Sequence, residues 1–225
     1  MNHEQYRGFR GQGWRIAALC AAAAFSLQSE ASELTFEQVF HQRGEPAALH
    51  YQAVYSSGGA EHRMEVWRDA DRRVKRRTDD RVETYASHQP GDAEFDMSIL
   101  DLKKRIHTKV SRTNLYRIGN FTDWFDLGHA LRHPKGGYTL SAAMAPKDAT
   151  KPLQSCSWYE LKQDGRSSRI CWSAQQHVPM LIAAQDGRVV WRITEIDRKP
   201  IPAKTFDIHD AGFVYNDANG DIEPD

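Results

Sequence analysis

Residues 155–172 read SCSWYELKQDGRSSRICW, two alternating runs on either side of an Asp-Gly, with Cys156 near one end and Cys171 near the other. Strand, tight turn, strand is the reading such a pattern supports. The cysteines admit three roles: metal ligands, a redox pair or a covalent staple. A four-residue loop from Lys162 to Gly165, with Gly165 left-handed, pairs Leu161 with Arg166 and sets Cys156 directly opposite Cys171. The same register places Trp158 across from Arg169, where the guanidinium can lie over the indole. A two-residue Asp-Gly turn makes the cysteines a diagonal pair, and a three-residue loop puts them on opposite faces. A disulfide is therefore expected to select the longer loop.

Which role applies depends on the compartment, and the N-terminus bears on that. The chain opens MNHEQYRGFRGQGWRIAALCAAAAFSLQSEASEL. Arg7, Arg10 and Arg15 precede an apolar run from Ile16 to Leu27, and Ser29-Glu30-Ala31 offers small residues where a signal peptidase reads. This is the pattern of a secretory signal peptide over residues 1–31, cleaved after Ala31. The run falls short of the ~20 residues a spanning helix needs. Cys20 lies inside it behind the bulky Leu19 and is expected to leave with the peptide. Export puts Cys156 and Cys171 in an oxidising compartment. Zinc wants about four ligands, there is no C-x-x-C and the histidines are scattered, so a Cys156–Cys171 disulfide is expected. Residues 32–225 are read as a single periplasmic domain.

Outward from the hairpin, alternation continues. Strands are expected at 155–161, 166–173, 179–185 and 188–196. A two-residue Asp186-Gly187 turn pairs Ala184 with Val189, Ile182 with Trp191 and Met180 with Ile193. Upstream, AALHYQAVY places Leu49, Tyr51, Ala53 and Tyr55 on one face, SSGG turns, and EHRMEVWR resumes. RRVKRRT, RVETYASH, FDMSILDL and RIHTKV follow as sequential antiparallel strands. Two segments read as helix. LTFEQVFHQRG has Thr35 as cap and Gly44 as stop. NFTDWFDLGHALRHP groups Phe121, Trp124, Phe125 and Leu131 on one face of a helix over 120–132, with Asn120 or Thr122 as cap and Pro134 ending it.

Thirty Lys+Arg balance thirty Asp+Glu, which removes any global electrostatic case for nucleic acid. The arginines of 61–83 are matched by carboxylates and read as a solvated sheet face. The strand 103–117 is one-sidedly basic, through Lys103, Lys104, Arg105, Lys109, Arg112 and Arg117, and suits transient contact with acidic headgroups or an acidic partner. Catalytic signatures such as G-x-S-x-G and H-E-x-x-H are missing, and no carboxylate pair stands out as acid and base. His129 and His133 are one helical turn apart, with Asp126 near, but such pairs usually belong to a solvated helix surface. The expectation is a protein without enzymatic activity, metal or cofactor.

The run from Cys156 to Trp172, the hairpin HVPMLIAAQDGRVVWRITEI with its Val178-Pro179-Met180 entry, and IPAKTFDI after it resemble the periplasmic lipoprotein-carrier superfamily. That superfamily holds the LolA/LolB-like carriers and the RseB/MucB-like envelope regulators. SILDLKKRIHTKV looks like its central hairpin and HYQAVYSSG like its opening strand. The likeness is one of strands and turns over most of the mature chain, and no family binding residue is matched to a position. It implies an α+β, mainly antiparallel fold, a curved unclosed β half-barrel with helices covering the open mouth. It also implies an apolar cavity for acyl chains, for which Tyr51, Trp124, Phe125, Leu131, Trp172, Met180, Ile182 and Trp191 are the candidate lining. The implied function is binding of a lipid or acylated, lipoprotein-type ligand, in outer-membrane lipoprotein sorting or envelope sensing. The alternative is a protein-interaction module that docks an envelope protein, with the same aromatics serving as core.

Overall fold

The computed structural model describes residues 34–41, 44–117 and 122–221. The expected signal peptide with its Ala31 cleavage site, and the proposed helix positions Asn120 and Phe121, lie outside them. Strands β1 (Leu49–Ser57), β2 (Ala60–Asp69), β3 (Arg73–Thr78), β4 (Val82–Ser87), β5 (Asp96–Asp101) and β6 (Ile106–Ser111) form one antiparallel meander. Strands β7 (Tyr138–Ala143), β8 (Ser157–Gln163), β9 (Arg166–Ser173), β10 (Val178–Ala184) and β11 (Val189–Asp197) form a second. The two join where β1 pairs antiparallel with β11, Tyr51 opposite Ile196. A short strand β12 (Val214–Asp217) adds to β6 in parallel. The result is one 12-stranded sheet, mostly antiparallel, ordered β12-β6-β5-β4-β3-β2-β1-β11-β10-β9-β8-β7 and left open between β12 and β7.

Turn chemistry fixes the registers. Gly58 and Gly59, with φ of 59° and 79°, close the β1–β2 hairpin with Ser57 opposite Ala60. The β8–β9 turn corrects the expected loop. Asp164 and Gly165 both have positive φ, 51° and 71°, the geometry of a two-residue turn matched to strand twist. Gln163 therefore pairs with Arg166, and Trp158 with Cys171. The disulfide is present nonetheless. Cys156 precedes β8, at the end of the 3-10 turn Leu153–Ser155, so it is free of the ladder and reaches Cys171 diagonally with Cα atoms 5.2 Å apart. Arg169 sits opposite Glu160 yet its guanidinium still lies 5.7 Å over the Trp158 ring. In the next hairpin Ile182 faces Trp191, as the alternation predicts, but a bulge then pairs Ala183 with Val189.

Helices are shorter than the sequence suggests. Helix α1 (Phe36–Phe40) has the expected Thr35 cap, in a reciprocal capping box with Gln38. It buries Phe36 and Phe40 beside Trp172, Ile170 and Leu140. The basic segment after β6 is not strand: it turns into α2 (Arg112–Arg117). Helix α3 (Trp124–His129) starts from Asp123 and stops at Ala130, which is left-handed at φ 54°. Helix α4 (Ala218–Asp221) follows β12 directly. No helix among the described residues is long and apolar enough to cross a membrane.

The outer side of β3–β6 carries the segment that leaves β11. Its turn Ala203–Phe206 sets the Phe206 ring 4.5 Å from the Arg73 guanidinium, and Asp210 bonds His107 at 2.7 Å. The mixed charges of 61–83 are accordingly only partly solvated. Lys75 lies 3.3 Å from Glu83, which also accepts from the Tyr85 hydroxyl at 2.6 Å.

Candidate functional site

Helix α3 places its two aromatics on a cleft of about 620 Å³ lined also by His41, Gly44 and Glu45 after α1 and by residues of the loop 88–93. The Trp124 indole N–H donates to Asp71 Oδ1 at 2.6 Å, and the ring stacks on His88 with centroids 3.8 Å apart. Phe125 is sandwiched between His41 and His129, each 4.2 Å away. Both aromatics are half-buried, Trp124 with His88 on one face and Phe125 with a histidine on each. Asp123 holds the entry to α3 by other means than capping. Its Oδ1 accepts from Tyr116 Oη at 2.5 Å and Arg112 Nη2 at 3.0 Å. Burial would raise its pKa, but these two bonds outweigh that and lower it. Asp126, also on the cleft, is pushed up by burial.

Behind the aromatics lies a buried polar cluster of which the sequence reading singled out His129 alone. Arg68 is 1 % exposed. It shares its face of β2 with Val66 and Met64, opposite Leu49, Tyr51 and Ala53 of β1. Its Nη1 donates to the Gly128 carbonyl of α3 at 2.8 Å, and its Nη2 to the Gln176 carbonyl in the β9–β10 turn at 3.0 Å. The Glu45 carboxylate completes the set, with Oε2 at 3.0 Å from Arg68. Glu45 Oε1 is 2.8 Å from His129 Nε2 and 3.1 Å from His177 Nδ1. Burial opposes the Glu45 charge, yet the His129 bond and the Arg68 charge hold its pKa down at about 2. One arginine thereby ties β2, the end of α3 and the β9–β10 turn together.

The sequence-selected residues divide. Trp124 and Phe125 line the cleft. Leu131 and Trp172 are buried in the cluster under α1, with Ile182 packed against it. Tyr51, Met180 and Trp191 belong to the neighbouring cluster around β1, β10 and β11. The Trp191 N–H donates to the Pro179 carbonyl at 2.8 Å, while the Tyr51 hydroxyl and Trp172 N–H are buried without a hydrogen-bond partner among the described residues. His129 and His133 do not share a helix face, because α3 ends between them. His133 turns to Glu37 of α1, and Asp126 accepts from its backbone N–H at 3.2 Å. Parity could have marked Arg68, an inward position on an otherwise apolar face. Glu45 and His177 lie in turns, where no periodicity points at them.

No family model and no curated protein matches the chain. Two solved structures of PNGF-II are similar over part of their length. One aligns at 8 % identity with a TM-score of 0.37, covering 77 % of this chain and 31 % of that one. The other aligns at 8 % with a TM-score of 0.28, covering 76 % and 30 %. The chain thus spans about a third of the length of these structures, and likeness at this level carries no argument about activity.

Proposed function

We propose that the protein is an exported, periplasmic, non-enzymatic binding protein of the lipoprotein-carrier kind, and that it holds a lipid or acylated partner at the α3 cleft. The observation that carries this reading is the cleft itself: about 620 Å³, with Trp124 and Phe125 among its lining. A void of a few hundred Å³ with aromatic walls is the size that takes a small apolar ligand. Burial there contributes ~25 cal/mol per Å² of apolar surface, so acyl chains bind without a polar code. In this reading the open sheet is a half-barrel, α1 and α3 lie over its mouth, and Trp172, Tyr51, Met180, Ile182 and Trp191 form the wall behind the ligand.

One observation favours the second reading, an interaction module for an envelope protein. Those wall residues are already packed against one another and against α1, so the sheet face itself offers little room. Uptake of a fluorescent fatty-acid probe separates the two. The cleft reading expects saturable uptake by the wild type. It also expects a clear change in uptake for Phe125→Ala, with a stability loss below the ~3–5 kcal/mol of a truncated core phenylalanine. Absence of uptake together with a loss in that full range would leave the interaction module. Native mass spectrometry of protein from its own envelope fraction would weigh a co-purifying lipid directly.

A further inference from the structure

In the cluster behind the cleft a histidine nitrogen faces a carboxylate oxygen at close range. His129 Nδ1 is 3.0 Å from the Phe125 carbonyl oxygen, and a carbonyl only accepts, so Nδ1 carries the proton of that bond. In the neutral ring Nε2 then presents a lone pair, and it points at Glu45 Oε1, 2.8 Å away. That oxygen belongs to the carboxylate whose other oxygen, Oε2, meets Arg68 at 3.0 Å. Either a second proton on the ring or a metal ion can bridge the two atoms. A second proton would make a buried imidazolium, with His129 5 % exposed and the Arg68 guanidinium already on the same carboxylate. A metal ion meets the same need with a neutral ring, and the Nδ1–H to carbonyl bond is the outer-sphere arrangement that orients metal-bound histidines.

We propose that Glu45 Oε1, His129 Nε2 and His177 Nδ1 form a binding site for a divalent transition-metal ion, zinc by ligand chemistry. The three donor atoms lie within 4.8 Å of one another. Zinc distances of ~2.0–2.2 Å to nitrogen and oxygen put tetrahedral donors about 3.3 Å apart, so the two Glu45 separations of 2.8 and 3.1 Å need to open slightly, while the two histidine nitrogens lie within 4.8 Å of each other. Two imidazoles and one carboxylate favour zinc over calcium or magnesium, which take oxygen ligands. Arg68 occupies Oε2 and leaves Oε1 to the ion. Glu45 and His129 line the cleft, which gives the ion a way in and a fourth position open to water. Asp71, Asp92, Asp123 and Asp126 line the same cleft. The site does not depend on the lipid reading, since zinc binding is measured with no acyl ligand present.

The test uses the full mature protein, stripped with a chelator and titrated with zinc chloride by calorimetry, with cobalt(II) followed by its visible absorption. One equivalent is expected at micromolar affinity or tighter, with cobalt bands of nitrogen–oxygen coordination. In the wild type, zinc should move the imidazole nitrogen resonances of His129 and His177 and leave those of His62 in place. His177→Gln should weaken zinc by at least about tenfold, and His133→Gln should leave it unchanged. Binding weaker than about millimolar, or an equal loss in His133→Gln, overturns the site. Because the imidazole spectrum is read on the wild type, it decides even where His177→Gln does not fold: resonances of His129 and His177 that stay in place under zinc also overturn it.

Discussion

Arg68 shows how one residue can organise a site while hiding in its sequence context. It stands among the arginines of 61–83, where charge balance reads as a solvated face, and only its alternation with Met64 and Val66 separates it from them. Its environment follows from burial: a guanidinium with no access to water must meet acceptors of fixed geometry, and the Gly128 and Gln176 carbonyls with Glu45 supply them. Replacing it by Met leaves a carboxylate and two carbonyls short of partners. Arg68→Met should therefore lose about 3–5 kcal/mol in urea unfolding, the scale for breaking one side of a buried pair. Adding Glu45→Gln should cost less than the sum of the two single changes, because the orphaned charge is then gone. A single-variant loss under about 1 kcal/mol would show that Arg68 does not hold the three segments together.

At the scale of elements, hairpins were legible and their ends less so. Asp-Gly and Gly-Gly pairs located the β1–β2, β8–β9 and β10–β11 turns, and alternation gave the buried parities of Leu49, Tyr51 and Ala53. The β8–β9 register was misjudged because a disulfide was assumed to need directly opposed residues. Cys156 lies outside the strand, which removes that requirement. Reading strand through residue 117 missed that Ser111 ends β6: its N–H donates to Asn219 Oδ1 and its hydroxyl accepts from Asn114 N–H, the second a local turn-forming contact and the first a partner over a hundred residues away. Likewise β7 and β12 are short strands at the two ends of the sheet, set by neighbours more than by their own pattern. The Cys156–Cys171 bridge should leave neither of those two cysteines titratable in the non-reduced, denatured protein. The double serine variant should lose up to about 3 kcal/mol, for a closed loop of ~15 residues. Reactive thiols at Cys156 and Cys171 would return the pair to redox or metal chemistry.

Across the whole molecule, the open antiparallel sheet was foreseen, but the role of the C-terminal segment was not. Its anchors are spread thinly: Phe206 against Arg73, Asp210 on His107, Arg105 on the Ala211 carbonyl, and the β12 ladder on β6. No single stretch of it carries a periodic signal. Ending the chain after Arg198 should uncover the outer side of β3–β6, where Leu100 is buried, at a cost of ~1.5–3 kcal/mol per large apolar side chain exposed. Amide hydrogen exchange should then quicken in β5 and β6 and stay unchanged in β8 and β9, which lie at the other end of the strand order. Uniform quickening through both meanders would mean that the segment supports the sheet as a whole.

The β1–β11 seam also sets an order in time. Each meander is made of neighbours in sequence, but the seam brings together partners such as His50 and Asp197, 147 residues apart. Contacts so distant along the chain form slowly, after local hairpins have been made and lost many times. During synthesis the first six strands are complete well before β11 exists. Until then β1 presents an unpaired edge carrying Leu49, Tyr51 and Ala53, the type of surface on which nascent chains join one another. The central strand of the finished sheet is thus its most hazardous edge while the protein is being made.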